Sequence, residues 1–140
     1  IIDPYAREFG IGKLTAFTLG YEPHIWSDEE ELWKTPRQED LIVYELMINE
    51  FGGDMRTATR HLEYLQDLGV NCIEIMPVTN ISNTTDWGFL PIGYFGVDER
   101  FGKRRDMQRL IDSAHQKGIA VILDMVYGHT DSLFPYSYLY

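Results

Sequence analysis

The sequence predicts an α/β fold, a β-α-β-α-β run that begins near residue 41, on three observations. Apolar, β-branched runs recur as LIVYELMI at 41–48, VNCIEIMPV at 70–78 and IAVILDMV at 119–126. Runs this short, without polar alternation, suit strands buried on both faces of a parallel sheet. Segments with apolar residues at helical spacing lie between them. Each of those segments stops at a glycine that leads straight into a strand, in DLGVNCIEIM and again in QKGIAVILDM. The chain thus repeats one helix-stop-strand order, and parallel strands joined by crossovers are expected.

Residues 1–40 hold turn formers and charges, in IIDPYAREFG, GIGK and the acidic SDEEEL, with no sustained period of 3.6 or 2. They are expected to form a connecting segment. Their aromatics Tyr5, Phe9, Phe17, Tyr21, Trp26 and Trp33 are too many for a free linker and should pack on something. The acids from Asp28 to Glu31 are expected on a solvated surface. The chain starts at Ile1 with no initiator Met and no leader, and is read as a fragment.

The first helix is expected from a cap at Asp54 or Thr57 to about Leu68, with Ala58, Leu62, Leu65 and Leu68 on one face and Gly69 as a left-handed stop. Pro77 ends the second strand, because it cannot donate to a central ladder. A long polar loop is expected from Thr79 to Arg105, well beyond the about four to six residues usual inside a compact domain. In the second helix Met107, Leu110, Ile111 and Ala114 share a face, with Asp106 as cap and Gly118 as stop. Three parallel strands leave two unprotected edges. An open doubly wound sheet and a barrel with its remaining strands past Tyr140 both fit the residues alone.

Composition narrows the partners. The 22 acidic against 12 basic side chains give a formal charge of −10 without any basic stripe, which repels phosphate backbones, so nucleic acid is excluded as an expected partner. Glu45, Glu74 and Asp124 interrupt the most apolar segments, and no run approaches the about 20 residues of a membrane span. The single cysteine, Cys72, lies in NCIEIM with no CxxC or Cys/His cluster and reads as a small buried hydrophobe.

Several segments, in order and spacing, resemble the α-amylase-type glycoside hydrolase family, family 13. LIVYELMINEF is similar to its first barrel strand, DLGVNCIEIMPV to the second, DWGFLPIGYFGVDERFG to the loop after the second, and QKGIAVILDMVYGHT to the signature on the third. IIDPYAR and the Trp26-Ser27-Asp28 to Trp33-Lys34-Thr35-Pro36 stretch are similar to the end of a β-sandwich domain and its linker. The resemblance implies the first β-α-β-α-β portion of a (β/α)8 TIM barrel over residues 41–140, preceded by a linker from an N-terminal β-sandwich over residues 1–40.

The same resemblance implies the site. Asp124 and His129 match the aspartate and histidine that the third strand of the family supplies to the sugar subsite at the cleaved bond. Phe89 stands where the family places a tyrosine that stacks on the sugar, an exchange that keeps the ring face and loses a hydroxyl. Trp87 and Tyr94 are candidates for the same pocket, with core packing an equal reading for Trp87. From spacing alone, Asp124 could equally be a strand-end carboxylate capping a turn, and His129 an exposed loop histidine. His24, His61 and His115 are expected at the surface or half-buried. Gly128 replaces the asparagine that many members use to hold calcium, so no metal is expected, and no cofactor.

In the family, catalysis is retaining, through a covalent glycosyl intermediate on one carboxylate while a second protonates the leaving oxygen. Those carboxylates come from later strands, and Glu45 and Glu74 do not match them; both are expected to serve the barrel interior. Gly128-His129 and the Gly93-Tyr94-Phe95 to Arg100-Phe101-Gly102 pattern favour the branching-enzyme and trehalohydrolase side of the family. The expected partner is an α-glucan, glycogen, starch or a maltooligosaccharide, in the cytoplasm. The alternatives are a trehalohydrolase, debranching or α-amylase activity, and, from another class, a non-catalytic sugar-binding homologue. A flavodoxin-like binding domain lacks the Gly-rich phosphate loop after the first strand.

Overall fold

The computed structural model describes residues 2–10, 13–82 and 87–140. Asp86, the first residue of the DWGF motif, lies outside the described residues. In chain order the elements are β1 (Glu8–Phe9), β2 (Thr15–Ala16), β3 (Val43–Leu46), α1 (Met55–Arg60), α2 (Leu62–Asp67), β4 (Cys72–Ile75), β5 (Thr79–Ile81), β6 (Pro91–Val97), α3 (Arg104–Gln116), β7 (Ala120–Leu123) and α4 (Tyr136–Leu139), with 3-10 turns at Asp28–Leu32 and Gln38–Asp40.

β3, β4 and β7 form a parallel sheet in that order. Their registers place Tyr44 beside Ile73 and Val121, and Leu46 beside Ile75. Side chains alternate across a strand, so these residues share the face that meets Leu62, Leu65, Leu110 and Ala114 in the core. Val43, Glu45, Cys72, Glu74, Ala120 and Ile122 occupy the other face, where no helix packs among the described residues. Helices on one side and a slightly acidic face without a helix among the described residues on the other are what three adjacent staves of a (β/α) barrel present. Cys72 is fully buried there, and burial raises its thiol pKa, an inert small hydrophobe as expected.

The helix boundaries follow their caps. The Asp54 carboxylate accepts from Thr57 N at 2.7 Å, so Asp54, not Thr57, caps α1. The expected single helix is broken at His61, whose Nδ1 lies 2.9 Å from the Thr57 carbonyl, and resumes as α2. Gly69 and Gly118, at φ +89° and +74°, supply the left-handed stops before β4 and β7. Asp106 is not the cap of α3. It sits one turn inside and accepts from Lys103 N at 2.9 Å while Arg56 Nε donates to it at 2.8 Å, tying α1 to α3.

The expected polar loop from Thr79 to Arg105 is instead built around an antiparallel hairpin of β5 and β6. At its base the fully buried Asp98 accepts from Arg100 Nε at 2.8 Å and Ile81 N at 3.3 Å, with Lys13 Nζ at 3.5 Å. A buried carboxylate is tolerated because two cations and the backbone amides of Ile81 and Arg100 surround it. Phe9 lies flat on β6, where a Cβ on Gly93 or on Gly96 would come within 2.6 Å of its ring. β1 and β2 thus turn part of the segment before residue 41 into a brace on the hairpin.

Residues 21–33 strap the outside of α3. His24 Nε2 meets Asp112 at 3.0 Å, Ser27 Oγ donates to Asp112 at 2.6 Å, His115 Nδ1 meets Glu30 at 2.7 Å, and Trp33 stacks on His115 at 4.1 Å. Of the four acids at 28–31, Glu30 is therefore recruited and the rest are exposed. Phe17 does not pack as expected and is largely exposed. Burial alone would raise the Asp112 carboxyl, but hydrogen bonds from Ser27 and His24 hold it below the usual carboxylate value. A carboxyl depressed by folding adds stability that is complete above its unfolded pKa, about 3.9, and lost as pH falls through the lower folded value. Acid titration is expected to free residues 21–33 from α3 below about pH 4, and Ser27→Ala should move that release upward. Hydrogen exchange of the strap against pH checks it, and an unmoved release in the variant would count against the account.

Candidate functional site

The residues singled out from sequence gather at the C-terminal ends of β4 and β7. That is the end of a parallel sheet at which barrel sites form, because the connections leaving the strands converge there. Asp124 is the first residue past β7, and its N–H donates to the Ile75 carbonyl at 2.9 Å, which fixes it to the end of β4. Its half-buried carboxylate takes no hydrogen bond or ion pair among the described residues. The turn-capping reading is thereby removed, and an acceptor-only group is left directed at whatever occupies the strand ends.

His129 lies on the loop that follows. Its Nε2 is 2.7 Å from the Phe89 carbonyl oxygen. A carbonyl only accepts, so Nε2 carries the proton and Nδ1 is the nitrogen left for a ligand. His129 therefore leaves an acceptor at Nδ1. This differs from the simple donor that sequence reasoning expected, because nothing local shows that a carbonyl forty positions away in the chain claims the other nitrogen.

Phe89 is 39% exposed and its ring stands 6.5 Å from that of Trp87 at 55°. Trp87, 58% exposed, is not a core residue. The two rings emerge side by side because Gly88 between them, at φ +99°, crosses tightly over Pro77, where a Cβ would lie 2.6 Å from the proline Cβ and 2.8 Å from its carbonyl oxygen. Tyr94 is half-buried rather than open, with Tyr127 at 5.4 Å and Phe134 at 5.1 Å. Burial and then Tyr127 raise its phenol pKa, so the hydroxyl stays protonated and neutral. Tyr94 supports the site from beneath, and Tyr127, 73% exposed, is the ring that reaches solvent.

Sequence reasoning missed two further residues. Asp131 accepts from Ser82 Oγ at 2.5 Å and from Leu133 N at 2.8 Å. The bond two residues onward is the local turn that aspartate favours, a signal that was readable; the partner Ser82 was not. Gly128 has open space around its Cβ position. Among the described residues no group of three His, Cys, Asp or Glu is placed to hold a metal ion. A cleft of about 710 Å³ lies elsewhere, between residues 7–10 and 16–18 and the N-termini of α1 and α3, and touches none of the predicted residues.

A parallel β-α-β-α-β unit with its helices on one sheet face and short turns into its strands is the architecture of a (β/α) barrel segment. The sequence profile described as Alpha amylase, catalytic domain matches residues 15–137, and the chain belongs to that family. It is 38% identical over 106 residues to a malto-oligosyltrehalose trehalohydrolase of Saccharolobus solfataricus, covering 74% of this chain and 18% of that protein. It is 36% identical over 111 residues to a 1,4-alpha-glucan branching enzyme of Halothermothrix orenii, covering 79% and 15%. A solved Salmonella typhimurium protein, assigned provisionally to the alpha amylases, superposes with a TM-score of 0.81 at 28% identity over 96% of this chain and 23% of its own. The chain thus spans under a quarter of the length of each. Among the described residues no helix is long and apolar enough to cross a membrane.

Proposed function

We propose that residues 41–140 are the first three strands of the (β/α)8 catalytic barrel of an α-glucan-active enzyme, and that residues 1–40 link it to a preceding β-sandwich. Asp124, His129 and Phe89 bind one sugar ring beside the bond that breaks, with Trp87 and Tyr127 flanking it and Tyr94 packed below. The single observation that supports this reading is the His129–Phe89 bond at 2.7 Å, which ties the loop that carries Asp124 and His129 to the segment that carries the Phe89 ring.

The division of labour follows from the side chains. Phe89 presents a flat apolar surface to the C–H face of the ring. Asp124 accepts from ring hydroxyls, and His129 Nδ1 accepts from another. These contacts hold the ring while a carboxylate from a later strand attacks the anomeric carbon, a second protonates the leaving oxygen, and the glycosyl group passes to water or to another glucan. None of this chain's residues supplies those two carboxylates: Glu45 and Glu74 stand side by side on the bare sheet face, in register within the strands rather than at their ends.

The transfer of a glycosyl group to a glucan, as in a branching enzyme, is the reaction we favour, on Gly128-His129 and the hairpin pattern. Hydrolysis of the trehalohydrolase kind is the second reading, favoured by the 38% identity to a relative so named. Product analysis of the full-length protein on amylose separates them: new α-1,6 branches support transfer, released oligosaccharides or trehalose support hydrolysis, and no action on any α-glucan overturns the enzyme reading. His129→Ala in the same protein is expected to lower kcat/KM about 30- to 150-fold, roughly 2–3 kcal/mol of transition-state binding. Unaltered kinetics would remove His129 from the site.

A further inference from the structure

His129 and Asp124 sit on a loop with no regular structure of its own, between the end of β7 and α4. A sugar subsite needs such groups held within a fraction of an ångström of one another. The question is what holds them. The His129–Phe89 bond is one tie between the loop and the hairpin. Two residues further on, Asp131 makes the others. Its N–H donates to the Pro91 carbonyl at 3.1 Å, and its carboxylate accepts from Ser82 Oγ at 2.5 Å and from Leu133 N at 2.8 Å.

The placement of those partners matters more than their number. Ser82 follows β5 and Pro91 opens β6, so Asp131 grips both arms of the hairpin where they part to form the tip that carries Trp87 and Phe89. We propose that Asp131 is a positioning residue, which pins the Asp124–His129 loop to both arms of the hairpin and so sets the distance between the polar side of the sugar subsite and its aromatic face. The proposal rests on the reading of Asp124, His129 and Phe89 as that subsite.

The chemistry suits an aspartate. The ionised carboxylate has no proton of its own and can accept from a hydroxyl and from a backbone amide at once. Those two bonds, that from Ser82 first, hold the group below the usual carboxylate value, so the pin is charged and intact at neutral pH. Asparagine keeps one carbonyl oxygen for Leu133 N and can turn its amide toward the Ser82 oxygen, a weaker two-ended connection. Alanine severs both ends and leaves the backbone bonds, Asp131 N–H to the Pro91 carbonyl and Phe134 N–H to the Asp131 carbonyl.

The test uses the full-length protein with Asp131→Ala, Asp131→Asn, Ser82→Ala and the Ser82/Asp131 double alanine variant. Two readouts are followed: amide hydrogen exchange of the segments spanning 87–92 and 124–133, and steady-state kinetics on maltoheptaose. In Asp131→Ala, exchange is expected to rise about tenfold or more in both segments and nowhere else in the barrel, and kcat to fall about 10- to 100-fold with a smaller change in KM. Asp131→Asn should recover part of both. Ser82→Ala should reproduce part of the loss, and the double variant should lose no more than Asp131→Ala alone. Unchanged exchange and kinetics in Asp131→Ala, or additive losses in the double variant, overturn the proposal. Should Asp131→Ala fail to fold, Ser82→Ala, which removes a single surface-proximal bond, decides it by the same two readouts. A wild type inert on every α-glucan would overturn the subsite reading, while exchange would still decide whether Asp131 pins the loop.

Discussion

Replacing Asp124 by alanine in the full-length protein is expected to lower kcat/KM on a soluble α-1,4-glucan by roughly 10²- to 10⁴-fold with the fold intact. The size follows from the state of the group. A carboxylate bonded to two sugar hydroxyls contributes about 1.5–3 kcal/mol per charge-assisted bond, and each 1.4 kcal/mol is about a factor of ten. The fold should survive because the anchor of Asp124 is its backbone N–H on the Ile75 carbonyl, which alanine retains, and because its side chain is bonded to no other described residue. Asp124→Asn keeps one acceptor oxygen and should fall between the two. Activity equal to wild type in Asp124→Ala, with full-length protein of normal melting temperature, would sink the assignment.

The second large effect is steric and should strike stability and activity together. Gly88→Ala places a methyl group 2.6 Å from Pro77 Cβ and 2.8 Å from its carbonyl oxygen, on a backbone with φ +99°. A positive φ of this kind costs a residue with a Cβ about 1–3 kcal/mol, and forcing a group into an occupied space costs about 1–3 kcal/mol more. Pro77 cannot yield easily, because its ring is fixed and the strand β4 holds the residues just before it. The strain is therefore expected to be relieved at the hairpin tip, displacing Trp87 and Phe89. Melting temperature should fall by several degrees and kcat/KM should fall with it. A Gly88→Ala protein with unaltered melting and kinetics would show that the backbone can re-route past Pro77.

Much of the frame was legible in local pattern. The three parallel strands lay in β-branched runs, the two helix stops in Gly69 and Gly118, and the first cap in Asp54, because each depends on residues within a few positions of one another. The hairpin was not. β5 spans three residues, Thr79–Ile81, and β6 opens on a proline and carries two glycines, a composition that reads as a loop until Phe9, buried against those glycines, is known to be there. Asp106 resembled a cap because it opens an apolar helical period; its real position is set by Lys103 N and by Arg56 from another helix.

The candidate site divides in the same way. Asp124, His129 and Phe89 were visible through their motifs. The bonds that give them a geometry join residues far apart in the chain, His129 to Phe89 and Asp131 to Ser82, and hydropathy periods carry no record of such pairs. Tyr94 was visible as an aromatic in a motif, but its half-buried role beneath Tyr127 depends on Phe134, which no pattern had marked.

The fit of Phe9 into the hollow left by Gly93 and Gly96 bears on how the proposed enzyme could be taken apart and recombined. The composition of the chain changes at residue 41, and a designer seeking a portable catalytic module would cut there. That cut would also withdraw the ring that backs β6, the strand whose first residue follows the segment that carries Trp87 and Phe89. The join between a grafted upstream region and residues 41–140 is thus better placed ahead of Glu8, so that Phe9 travels with the strand it braces.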